Sequence, residues 1–108
     1  MDSHDLAELL TGLASRFNNL MIATTGETSR QCGDLQDKLA GQAMAAIACD
    51  LDHAASAYAD AVAALRGASQ AADDAEKALA ASGKSIEFVA KAIQLALRAS
   101  ILAASVLA

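Results

Sequence analysis

Proline and tryptophan are absent from this 108-residue chain, and its aromatics are two phenylalanines and one tyrosine. A β-sheet is thereby starved of the residues that suit pleated surfaces, while nothing of proline's kind interrupts a helix. Large apolar side chains are scarce as well: alanine supplies 29 of the 59 apolar residues, leaving 28 of Leu, Ile, Val, Met, Phe and Tyr. So thin a core closes only where helices approach closely or a second chain adds surface. Cysteine occurs twice, at Cys32 and Cys49, which is no disulfide framework and points to a reducing compartment. Bases are outnumbered 8 to 13 by acids for a net charge of −5, so a basic face for nucleic acid is not expected. The opening MDSHDLAELL carries acids where a secretory signal carries bases; a cytoplasmic location is expected, compatible with non-classical export.

What is present favours helix, since alanine is the best helix former. Ser3 can cap a first helix over about 4–23, in which Leu6, Leu10, Leu13, Phe17 and Leu20 recur at steps of four and three. The stretch TTGETSRQCGD, rich in Thr, Ser and Gly, reads as a loop over about 24–33. From Asp34 the pattern is regular: Met44, Ile47, Leu51, Ala54, Tyr58, Ala61, Leu65, Ala68, Ala72, Ala75 and Leu79 alternate steps of three and four, a heptad seam. Its small residues at every second core position predict a closely spaced helix pair. The seam predicts one long helix over about 34–81, with a break near Gly67 as the alternative.

A turn at 82–85 then leads to a last helix over about 86–107. Ile86, Val89, Ile93, Leu97 and Ala104 mark one apolar face of it; Phe88, Leu95, Leu102 and Val106 mark another. Glu87, Lys91, Gln94 and Arg98 share a narrow polar strip, so this helix calls for burial over most of its circumference. Residues 34–82 carry eight acids and three bases, and residues 83–108 one acid and three bases, which predicts that the two helices face each other. The expected fold is all-α: an antiparallel three-helix bundle, or a four-helix one if the long helix breaks near Gly67, in a single domain.

Three motifs raise chemistry. Gly83-Lys84-Ser85 resembles the end of a phosphate-binding loop, but the position five before the glycine is Ala78, inside a helical run with no preceding strand. It reads as a corner: Gly83 ends one helix and Ser85 caps the next. Cys49, Asp50 and His53 share a helical face, half a metal site at most, with only His4 and Cys32 as further soft ligands. No nucleophile, base and orienting group assemble, and acids such as Asp52, Asp73, Asp74 and Glu76 read as a solvated face. No enzyme activity, metal, cofactor or small-molecule substrate is expected.

The function expected is interaction: self-association, or pairing with a helical partner, through the alanine-rich seam and the apolar faces of the last helix. A membrane or granule surface is the less favoured partner, because that helix carries only a few bases beside its apolar residues. In size and outline the chain resembles the small helical-hairpin proteins of specialised bacterial secretion systems, the WXG-type proteins and the needle or rod subunits. The corner here reads Ser82-Gly83-Lys84, without the Trp-x-Gly turn of the first group or the proline turn of the second. The resemblance implies a secreted hairpin substrate or subunit and carries over no residues.

Overall fold

A computed structural model describes residues 3–49, 51, 55–82 and 86–107, the side chains of 3–5 and of 82 excepted. Among the described residues there are four helices and no strand: α1 (Ser3–Ala23), α2 (Gly26–Ala48), α3 (Ser56–Ser82) and α4 (Ile86–Leu107). The 27 residues of α3, at about 1.5 Å each, account for the longest dimension of 42 Å against 19 and 17 Å across.

The first departure from the sequence reading is the loop over 24–33, which is helix from Gly26 onward. Only Thr24 and Thr25 lie between the helices, and Gly26 takes a positive φ of 64° that favours glycine at the reversal. The hydroxyl-bearing residues that suggested a loop serve the helix end before it. Thr24 donates its Oγ1 hydrogen to the Leu20 carbonyl at 2.7 Å, and Ser29 donates from Oγ to the Met21 carbonyl at 2.8 Å. Both satisfy carbonyls that the last turn of α1 leaves without partners. Gly33 lets Met21 lie close, since a Cβ there would meet the Met21 sulfur at 2.9 Å.

The second departure is the long helix over 34–81. It divides between Ala48 and Ser56, not near Gly67, which sits exposed in the middle of α3. The cause lies in the phase of α2. Its buried face is Cys32, Leu35, Leu39, Ala43 and Ala46, one residue out of step with the predicted seam. Continued at the same spacing, that face would next present Asp50 and His53, which a helix cannot bury cheaply. Cys49 leaves helical geometry at φ −94° and ψ 152° while its amide still bonds the Ala45 carbonyl.

The seam therefore belongs to α3. Tyr58, Ala61, Leu65, Ala68, Ala72 and Ala75 are buried there, and Leu79 is half-buried. Leu51 is half-buried against the core, Ala54 lies outside the described residues, and Met44 and Ile47 point outward, 73% and 60% exposed. On α4 the core face is mostly small: Val89, Ala92, Ile93, Ala96, Ala99, Ser100 and Ala103.

The most extensive packing joins helices adjacent in sequence, α1 with α2 and α3 with α4; lesser contacts join α1 to α3 and α2 to α4. The lesser contacts include several polar ones. Arg16 of α1 reaches Asp73 at 3.1 Å and Glu76 at 3.3 Å on α3, and Asn19 donates to Glu76 at 3.0 Å. Across α2 and α4, Gln42 Nε2 donates to the Ser100 carbonyl at 2.9 Å while the Ser100 hydroxyl donates to Gln42 Oε1 at 3.1 Å.

Candidate functional site

Buried apolar groups need no further cover, so a functional face is sought where large apolar side chains remain in water. α4 has four: Ile86 (55% exposed), Phe88 (49%), Leu97 (44%) and Ile101 (64%). At about 100° per residue, Ile86, Leu97 and Ile101 fall within roughly 60° of one another, with exposed Ala90 among them. The stripe is continuous with a cleft between α2 and α4. That cleft encloses about 270 Å³ and is lined by Gln31, Asp34, Leu35 and Lys38 from α2 and Ile93 and Leu97 from α4. It is smaller than the ~300–1,000 Å³ of typical small-ligand pockets, and its shape is that of a furrow between two helices.

The local sequence explains why the stripe stays outside. α4 turns Ala92, Ala96, Ala99 and Ala103 inward together with Val89 and Ile93, and this leaves Ile86, Leu97 and Ile101 on the outer side. Of the residues assigned to the second apolar face, Leu95, Leu102 and Val106 are half-buried against the core and Phe88 is exposed. Ile101 and the Gln42–Ser100 pair carried no signal of their own in the sequence. A serine among alanines reads as another small residue, and a glutamine on a helix reads as surface.

The other candidates resolve differently. Cys32 is buried and free, and burial pushes its thiol pKa up against the opposing hydrogen bond with Thr24. Cys49 is half-buried and free. Asp50, Asp52, His53 and the Gly83-Lys84-Ser85 corner lie outside the described residues, as does the side chain of His4. Among the described residues no three His, Cys, Asp or Glu side chains gather as metal ligands would. Tyr58 is buried in the core.

Electrostatically, the acids of α3 serve α1 and α3 itself. Asp73 accepts from Lys77 at 2.9 Å and from Arg16. The Lys77 hydrogen bond is the main cause that holds the Asp73 carboxyl below its ordinary range, and the same bond raises Lys77. The expected pairing of acidic α3 with basic α4 does not occur among the described residues: Lys91 and Arg98 make no ion pair there. α4 thus presents apolar residues side by side with charges that make no ion pair among the described residues. Set beside known proteins, the chain matches no family model, no curated protein and no solved structure.

Proposed function

We propose that the chain is a non-enzymatic helical interaction protein whose working surface is the outer face of α2 and α4. The observation that carries this is the uncovered stripe Ile86, Leu97 and Ile101 along α4. The alanine seam first assigned to intermolecular contact is occupied within the chain by α3 and α4 packing on each other. Partner binding therefore falls to the flank that this packing leaves free. The helix contacts support a four-helix bundle of two antiparallel hairpins, α1–α2 and α3–α4. Across the hairpins the bonds from residues 16 and 19 to residues 73 and 76 favour α1 running parallel to α3. Such a bundle has a two-helix face with a furrow that suits a helical partner laying its own apolar face against it.

Photo-crosslinking tests the surface. A photoreactive residue in place of Ala90, in cells producing the protein, is expected to give covalent protein adducts, and one in place of Ala63 on the far side of α3 is not. Absence of adducts from position 90, or equal adducts from both, counts against the reading.

One observation favours a second reading. Over 22 residues α4 is long and apolar enough, by length and composition, to cross a membrane. That supports a lipid or granule surface as the partner, with Lys91 and Arg98 at the headgroups. Flotation with anionic phosphatidylglycerol vesicles separates the two: protein that stays at the bottom ends the lipid reading.

A further inference from the structure

The outer stripe of α4 is symmetric in its spacing. Ile86, Ala90, Leu97 and Ile101 are spaced four, seven and four, a pattern that reads the same in either direction. An antiparallel copy of the same helix, related by a twofold axis between positions 93 and 94, sets Ile86 opposite Ile101 and Ala90 opposite Leu97, twice over. Large meets small in the middle and large meets large at the ends, as an isologous contact requires.

The charges follow the same axis. On α4, Glu87 falls within two residues, about 3 Å, of the level of Arg98 in the second copy, and both lie on the strip beside the apolar stripe. Lys91 lies roughly 40° farther round the helix than Glu87 and is turned away from the line of contact. On α2 the level of the axis is fixed by the Gln42–Ser100 bonds, which pair residues 58 apart. That offset places the axis between positions 35 and 36 of α2. Asp34 then stands within one residue of the level of Lys38 in the second copy, and Lys38 in turn of Asp34. Both side chains are exposed and line the cleft beside Leu97. Two helices joined by an independent register thus present opposite charges to themselves about a single axis. The side of the molecule is 42 Å long and 17–19 Å wide, of the order of the ~800 Å² that each partner contributes to a standard interface.

We propose that a second copy of this chain covers the α2–α4 face, with α4 against α4 and α2 against α2 in opposite directions about this twofold axis. The inference rests on the interaction reading above and names its partner. Apolar residues of the stripe supply the affinity, and the reciprocal Asp34–Lys38 and Glu87–Arg98 pairs fix the register and reject slipped alignments.

The test is sedimentation velocity on the purified full chain from micromolar to millimolar concentration, with helicity and thermal melting followed for every variant. A concentration-dependent dimer is expected. Ile101→Glu, at a mostly exposed position, should raise the dissociation constant by about 100-fold or more by placing a carboxylate against Ile86 of the second copy. Asp34→Lys should weaken the dimer by about tenfold, and Asp34→Lys combined with Lys38→Asp should restore it to within about threefold, because the swap preserves every pair. These changes replace exposed side chains, so a native melting profile is expected throughout. A strict monomer at millimolar concentration overturns the proposal, as does a dimer indifferent to Ile101→Glu or a charge swap that fails to rescue. A monomer whose position 90 still forms adducts with a different chain overturns the second copy while the interaction reading stands; loss of those adducts as well ends both.

Discussion

The two pairs of sequence-adjacent helices, α1 with α2 and α3 with α4, line their interiors with different residues. Between α1 and α2 the space is filled by volume: Leu6, Leu10, Leu13, Phe17, Leu20 and Leu39 are fully buried large side chains. The buried positions of α3 and α4 are mostly small, Ala61, Ala68, Ala72 and Ala75 on one and Ala92, Ala96, Ala99 and Ala103 on the other, with Leu65 and Val89 among them. A leucine interior tolerates some distance between backbones and loses much when a side chain is removed. An alanine interior has little to lose by deletion and no room for addition. The same composition that starves the chain of large residues is therefore spent unevenly, and the alanine half is the one that leaves bulky residues over for the outside.

The largest expected effect breaks the volume-filled side. Phe17→Ala removes a fully buried ring and should lower stability by about 3–5 kcal/mol in urea unfolding; a loss below about 1 kcal/mol would show that α1 and α2 can collapse around the gap. Next comes the reverse operation on the other pair of helices. Ala61→Leu adds volume where the alanine is fully buried and should cost about 1–3 kcal/mol, while a neutral result means that α3 and α4 are not closely packed at that level. Gly67→Ala should act in the opposite sense. A Cβ at Gly67 meets nothing within 4 Å, so the substitution improves helix propensity alone and should add about 0.5–1 kcal/mol, read as a raised melting temperature.

The smallest effect concerns the polar contact between the two pairs. Asp73 has its pKa lowered by its hydrogen bond to Lys77, with the charges of Lys77 and Arg16 acting in the same direction. Its contribution to stability is complete above the unfolded carboxylate value of about 3.9 and is lost as pH falls through the lowered folded value. Lys77, raised by the same bond, contributes fully below about 10.4 and fades as pH rises through its raised value. Thermal melts of the wild type and Asp73→Asn should converge at acid pH and separate slightly near neutrality; curves parallel throughout would remove Asp73 from the account.

Much of this organisation was legible in the residues. The α1 stripe, the α4 boundaries and the small-residue spacing of α3 follow from periodicity, because each helix buries one face and the buried face sets the period. The α2–α3 division was not legible. No proline or glycine marks it, and the step from Met44–Ile47 to Tyr58–Ala61 keeps a heptad by coincidence while the true face runs through Ala43 and Ala46. The start of α2 was missed for a related reason. Thr24 and Ser29 carry loop-forming side chains, yet their hydroxyls are consumed by α1 carbonyls, a use visible only once the helices lie side by side. The outer stripe was half-read: Ile86 and Leu97 belong to the apolar face expected for α4, and what separates them from buried Val89 and Ile93 is which side of α4 meets the core.

The pairing of sequence neighbours also bears on how the chain reaches this state. With the most extensive helix packing formed between α1 and α2 and between α3 and α4, most of the chain-closure entropy is met over short separations. Each helix can find its sequence neighbour before the halves meet. Packing between sequence neighbours favours fast folding, as it does in helical proteins generally. The Arg16 and Gln42 bonds, which span 57 to 60 residues, join the halves and therefore form late. Substitutions at either should accelerate unfolding while leaving the folding rate nearly unchanged.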